Sequence, residues 1–565
     1  MISLKRYMHI ILIIVSLSGI FLIYTIHESR PASVRNLTSS TVQQEFTEIR
    51  RVDEGDRPRV WLLGDPEDER CGELYGNVRQ LCQDLQFTVV GEGHLDIDKV
   101  EERDIIIFCN SSVSRWADPE ALIAFIAGGG RVILAAGLGE EESLLWPVFG
   151  IREMSQGDDF HYLAFEKPLL PVQPDEAFYD GSSGSARLKV SETADVYIRV
   201  IGEDVPILYT HPWQKGNVCV LNGTFLSDPR CMGLLTGAVS LLLPDFIYPV
   251  LGVKAVFLDN LPMITPEEDE LCRQVYGYSG EGFVRDVMWP AFQGTSLRTG
   301  TPYTSSILIA APAQESFETE NDAILMAICK SALQFGGELT YAVDCQGDGS
   351  FVVNQDFIDR FSGLFTGYTV QGLTMKTDNF STEMPDISGA EIRAVRGMLG
   401  SRDLRLSWED GLTVFPAATK GNSMDDGNLF AICSVLGAYG MVSHVFNVKE
   451  LITREDDPAA WDKDKLQVGY FESEVLSQAP WLEGRTLSQT EGDVRSYQEM
   501  TYGWTRRGSQ VELDCGGAVK GQAFFFHTDD LIAEASGLTY LDLGEGYYLL
   551  RMQESHGTLT LEEGK

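Results

Sequence analysis

The sequence predicts an α/β protein: a doubly wound parallel sheet, then a (β/α) barrel and a β-rich C-terminal part, all behind an N-terminal transmembrane helix. Three patterns carry that expectation. Short, nearly continuous apolar runs alternate with helical stretches from Arg59 onward, as strands buried on both faces require. The alternation starts afresh at Val253, and after about residue 470 it gives way to Gly- and aromatic-rich alternation of period two.

Met8 to Ile26 is apolar over 19 residues except for His9, Ser16, Ser18, Tyr24 and Thr25, close to the roughly 20 that span a bilayer as helix. Lys5 and Arg6 precede it, which holds the N-terminus in the cytoplasm and sends the bulk of the chain outside. The run exceeds the apolar core of a cleaved signal peptide, and no small-x-small site follows Ile26. Residues 1–30 therefore read as a single-pass anchor, and the polar residues 31–56 as a stalk.

Residues 57–248 form the first domain. VWLLG (60–64), FTVVG (87–91), DIIIFCN (104–110) and RVILAAG (131–137) read as strands, with helices over Cys71–Gln86 and Asp118–Ala127, the latter ending on Gly128 to Gly130. Strands near 187–192, 196–201, 206–210 and 217–222 follow, and a helix near 230–243 closes the domain at Pro244. Residues 249–470 form the barrel: strands KAVFLDN, SSILIAA (305–311), GELTYAV (337–343), LRLSW (404–408), LTVFPA (412–417) and MVSHVFN (441–447), with helices over 321–335, 354–365, 387–399 and 425–439. Residues 471–565 read as antiparallel strands.

The 83 acidic residues against 44 basic ones leave a net charge of −39, which excludes nucleic acid as a partner, because phosphates are held by Lys and Arg. The ten cysteines are scattered, without a CxxC, mostly in apolar strings; they read as buried thiols rather than a disulfide framework. A dinucleotide site is excluded too: the first strand runs into Gly64-Asp65-Pro66-Glu67-Asp68-Glu69, whose four acids repel a pyrophosphate. The first domain is similar in texture to amidotransferase-like and flavodoxin-like modules, yet RVILAAG is followed by Leu138, Gly139 and Glu140 where an amidotransferase carries its Cys nucleophile.

Metal-assisted hydrolysis needs a carboxylate base beside a metal-bound water. Asp259 closes the first barrel strand, where barrel enzymes place their chemistry. No two of the eight histidines are near neighbours in sequence, so none forms an i, i+4 pair. The best pairing across the fold is His444 with Asp259.

From Val253 the chain resembles the NodB-type polysaccharide deacetylases, in a membrane-anchored branch that accompanies Pel-type exopolysaccharide machinery in Gram-positive bacteria. The family's first motif ends a strand with Asp-Asp, base then metal ligand; here Leu258-Asp259-Asn260-Leu261-Pro262 keeps the base and replaces the ligand with an amide. RDVMWPAF (285–292) is similar to an aromatic-Pro segment of that branch. The second motif, Gly-His-Glu with two later histidines, stands here as Gly336-Gly337-Glu338 with Ala342 and Gln346 at the ligand positions. Val442-Ser443-His444 resembles the closing Ser-His segment, which implies an assisting role for His444. The resemblance with its lost ligands implies a degenerate, non-catalytic binding or scaffolding component of exopolysaccharide assembly or export, with no cofactor expected. The alternative is an active deacetylase using Asp259, His444 and a divalent metal such as Zn recruited through Asp344. The acidic exterior suits a cationic amino-sugar polymer, and Trp213, Trp289, Trp408, Trp461, Trp481 and Trp504 are candidates for stacking on sugar rings.

Overall fold

The computed structural model describes residues 52–564 apart from 262–265, 312–321, 345–351, 376–386, 388, 400–404, 410, 453–456, 458 and 518–519. It is a mixed α/β structure with a strongly curled second sheet and a β-rich C-terminal part. The anchor at Met8–Ile26 and the stalk to Arg51 lie outside the described residues; among those described, no helix is long and apolar enough to cross a membrane.

The first sheet contains nine strands: β1 (Arg59–Leu63), β2 (Thr88–Glu92), β3 (Asp104–Phe108), β4 (Arg131–Leu134), β5 (Tyr162–Phe165), β6 (Glu176–Phe178), β7 (Asp195–Val200), β8 (Pro206–Trp213) and β9 (Gly216–Leu221). Their order is β2-β1-β3-β4-β9-β8-β7-β5-β6. The first five are parallel and the rest antiparallel. Successive residues of the parallel strands bury on opposite faces. Val60, Leu62, Ile105 and Ile107 pack with α1 (Gly72–Asp84) and α3 (Gly233–Leu242), while Trp61, Leu63, Ile106 and Phe108 pack with α2 (Pro119–Gly128). That double coverage is why these strands are apolar throughout. Asp118 caps α2 by accepting from the Ala121 amide at 2.8 Å, and Gly129 ends it at φ 126°. Residues 185–190 lie outside this sheet, in a two-stranded ribbon with 151–158.

The strand β10 (Asp245–Val250), directly after Pro244, belongs to neither parallel sheet: it pairs antiparallel with Ala523–Thr528 of the C-terminal part. The curled sheet then runs through β11 (Val253–Asp259), β12 (Tyr303–Ala311), β13 (Glu338–Val343), β14 (Gly372–Met375), β15 (Ala394–Arg396), β16 (Leu412–Val414), β17 (Thr419–Lys420) and β18 (Met441–Asn447). All the pairings among these eight strands are parallel. Residues 413–421 run from one edge of the curl to the other. The Thr413, Phe415 and Ala417 amides donate to Arg393, Val395 and Gly397, and the Ala418 and Gly421 amides donate to Ser443 and Val445. The helix expected over 387–399 is instead the strand β15. Ala394-Val395-Arg396 alternates inward, outward, inward, and pairing with β14 outweighs the helix propensity of Ala and Arg. The segment 285–292 is helical, and the Trp289 indole in it is buried and donates to Ser331 Oγ at 3.0 Å.

Residues 501–562 complete a sandwich of two four-stranded antiparallel sheets, one of which includes β10. Ile247, Phe524, Phe526 and Leu550 meet Trp504, Val511, Leu513 and Leu559 between them. The nine described cysteines are buried, and burial raises the Cys82 thiol to about 12.

The first domain and the curled sheet join where α3 meets α4 (Asp426–Tyr439). A Cβ on Gly233 would lie 2.3 Å from the Ser434 carbonyl oxygen, so the two backbones touch. The Gly233 amide donates to Ser434 Oγ at 3.0 Å, and Tyr248 Oη donates to the Gly437 carbonyl at 2.7 Å. Gly233→Ala is therefore expected to cost about 1–3 kcal/mol by forcing the helices apart, read as a lower urea midpoint.

Candidate functional site

The inward faces of β11 to β18 are polar at the carboxyl ends of the strands, the position at which barrel enzymes carry their chemistry. Asp259 ends β11, in register with Ser306 on one side and Asn447 on the other. Across the curl, Arg396 ends β15. Arg396 Nη2 donates to both Asp259 oxygens at 2.8 Å, and Ser306 Oγ donates to Oδ1 at 2.6 Å. Arg396 is 2% exposed and Asp259 7%. The guanidinium carbon also sits 5.2 Å over the Phe257 ring, two residues before Asp259 on the same face.

Asn260 follows in the left-handed region at φ 63°, a conformation Asn tolerates better than most residues. Its Nδ2 donates to Asn447 Oδ1 at 2.8 Å, and Asn447 Nδ2 donates to Glu450 Oε1 at 2.7 Å. Asn422 holds the Asn447 backbone from both sides, accepting from its amide and donating to its carbonyl, each at 3.1 Å. At the opposite end of the curl the buried Glu338 accepts from the Ser488 amide at 2.8 Å, and burial raises its carboxyl above the usual range. Gly372 is required there, because a Cβ would approach Thr340 Cγ2 to 2.4 Å.

This arrangement binds charge to charge inside the protein. A general base needs a lone pair directed at the proton it removes. Three of the roughly four acceptor positions of a carboxylate are taken at Asp259 by Arg396 and Ser306. The side-chain donors clustered here for an ion are oxygens, which suits hard cations rather than Zn. Among the described residues no three of His, Cys, Asp and Glu are grouped to hold a metal. At the second-motif positions, Ala342 is buried on β13 and Gln346 lies outside the described residues. Asp344 is half-buried, one residue past the end of β13.

The structure does not bring His444 to Asp259. His444 pairs in register with Val256, three residues before Asp259, so strand alternation turns its ring to the outward face. There it meets Phe446 and Phe471 at 4.5 and 5.0 Å between ring centroids. Nδ1 is 2.8 Å from Thr419 Oγ1 and Nε2 is 3.0 Å from the Gly421 carbonyl. It is fully buried, and that desolvation lowers its pKa to about 3. Of the candidate tryptophans, Trp289, Trp461 and Trp504 are buried and Trp213, Trp408 and Trp481 half-buried. Arg396 and Ser306 are the members that sequence reasoning missed. The available signal was a cation in a period-two Ala-Val-Arg strand, which needs a buried acid opposite it.

Residues 79–328 match the family described as an uncharacterised protein conserved in bacteria, DUF2194, a span that crosses from the first domain into the curled sheet. No curated protein matches the chain. Among solved structures, a ThuA-like protein from Bacteroides uniformis is 12% identical at a TM-score of 0.26, covering 35% of this chain and 96% of its own. A beta-galactosidase from Bacillus circulans sp. alkalophilus is 12% identical at 0.22, covering 31% of this chain and 30% of its own. An exo-beta-1,4-mannosidase from an Opitutaceae bacterium is 17% identical at 0.22, covering 30% and 33%. The chain thus spans about a third of the length of the two glycosidases.

Proposed function

We propose that the chain is a membrane-anchored, extracytoplasmic pseudo-deacetylase that binds amino-sugar exopolysaccharide during its assembly or export without hydrolysing it. The observation that supports this best is the state of Asp259: the one residue kept from the first deacetylase-like motif is committed to Arg396 and Ser306. Asn260 beside it is committed to Asn447, and His444 faces away from the mouth. On this reading the anchor expected at 8–26 leaves the bulk of the chain, with its net charge of −39, outside the cell, where a partly deacetylated, cationic polymer would be attracted to it.

The test uses the full chain in detergent micelles. Bound Zn, Co and Ni are measured, and acetate release from N-acetylated oligosaccharides is followed. The expected result is no release, together with retention of amino-sugar polymer that weakens as salt rises. Acetate release that disappears in Asp259→Ala would instead establish the active deacetylase, with its metal recruited through Asp344 or another carboxylate.

A further inference from the structure

An open cleft of about 1110 Å³ lies between the first domain and the curled sheet, and Asp259 is not among the described residues that line it. Its walls come from the carboxyl ends of strands in both parallel layers. Ser227 to Cys231 follow β9, Met398 and Leu399 follow β15, Lys420 ends β17, and Asp425, Gly427 and Asn428 begin α4; Phe178, which ends the edge strand β6, and Tyr179, Asp180 and Ser182 after it complete the lining. In α/β sheets the crevice outside the strand carboxyl ends is where ligands settle, and here two such crevices are merged.

The lining decides the class of ligand. Pockets for compact organic molecules are mostly apolar and of roughly 300–1,000 Å³. This one is larger, open, and carries Asp180, Asp228, Arg230, Lys420 and Asp425 together with Ser182, Ser227 and Asn428. Arg230 is fixed as a planar fork by Asp228, its Nε 3.0 and 3.1 Å from the two oxygens, and by Asp180 at 3.1 Å. Lys420 is exposed and makes no ion pair among the described residues. Phe178 is half-buried against Tyr162, 5.0 Å between ring centroids, and offers an apolar edge. Fixed carboxylates, a planar guanidinium and hydroxyls suit vicinal hydroxyl groups, and three carboxylates against two cations favour ammonium substituents.

We infer that this interdomain cleft holds a short stretch of amino-sugar polysaccharide, the chain lying along it with its hydroxyl and ammonium groups on Asp180, Arg230, Lys420 and Asp425. The inference rests on the proposed glycan-binding reading and assigns it a place. Calorimetry with the full chain in micelles tests it, with a glucosamine tetramer and its fully N-acetylated counterpart as probes. Lys420→Trp, which fills the cleft from an exposed strand position, is expected to weaken binding by more than about tenfold. Asp180→Asn, which removes one exposed charge, should weaken the glucosamine tetramer by about threefold and the acetylated one less. Both variants should keep the wild-type melting midpoint. Wild-type affinity in both variants would overturn the cleft while leaving the proposed function standing. Absence of binding by the unmodified chain to either tetramer would overturn both.

Discussion

Replacing Arg396 with Ala is expected to destabilise the protein by about 3–5 kcal/mol, because the change removes the guanidinium whose Nη2 holds both oxygens of the buried Asp259 carboxylate. Urea unfolding followed by tryptophan fluorescence reads the effect as a lower midpoint. Removing both partners in Arg396→Met/Asp259→Leu should recover most of that loss, since similar-sized apolar side chains carry no desolvation cost. A single-variant cost under about 1 kcal/mol would show that water, not the guanidinium, compensates Asp259. The two outcomes also bear on mechanism. A pair whose worth is mainly structural fits a non-catalytic interior, whereas a stable single variant would leave the carboxylate available for proton transfer.

The second large effect is on pH dependence. Asp84, at the end of α1, sits where the first domain meets α4 and Thr490–Glu499. Gln80 Nε2 donates to Oδ1 at 2.8 Å and Tyr439 Oη to Oδ2 at 3.4 Å. Arg405 reaches Gln80 Oε1 at 2.6 Å, and Cys82, Tyr497 and Tyr502 fill the surroundings. Desolvation raises the Asp84 carboxyl to about 7. The folded protein thus holds a proton that the unfolded chain releases above about pH 4. From this group, stability is greatest below that value, falls as pH rises toward 7, and is flat above it. Asp84→Asn keeps the hydrogen-bonding shape without the charge. It should raise the melting midpoint at pH 8 by about 2–4 °C and leave it unchanged at pH 4; equal midpoints at pH 8 would show that Asp84 is hydrated.

Much of this architecture was legible in the amino-acid sequence because the buried strands are apolar on both faces. Val60–Leu63 and Ile105–Phe108 face helices on either side, and a parallel sheet covered on both faces accommodates such runs. The strand β15 was not legible. Three residues of period two are indistinguishable from a helical turn when Ala and Arg, both good helix formers, surround one Val. Missing it also concealed Arg396, and with it the partner of Asp259. Nor was β10 legible as part of the C-terminal sandwich, because its partner Ala523–Thr528 is 273 residues or more away, counted from Val250 to Ala523, and no local signal records so distant a pairing. Asp259 was located correctly at a strand end, but sequence spacing alone does not reveal that His444 lies three register positions back, on the other face.

The first described residues are fastened to the last sheet. Gly55 bridges Trp504 in parallel, the Asp56 amide donates to the Trp504 carbonyl at 2.6 Å, and the Arg506 amide donates to Asp56 Oδ2 at 2.9 Å. Gly503 makes this possible, since a Cβ there would lie 1.6 Å from the Asp53 carbonyl oxygen. Arg506 in turn grips Asp245 of β10 through Nη1, 2.7 Å from both carboxylate oxygens. Any tension transmitted through residues 1–51 therefore enters the sandwich as shear along a hydrogen-bonded seam, which must break its bonds together rather than in succession. From there the load passes through β10 to the junction of the two parallel layers, so a pull on the N-terminal segment is felt beside the interdomain cleft without first unravelling the first domain.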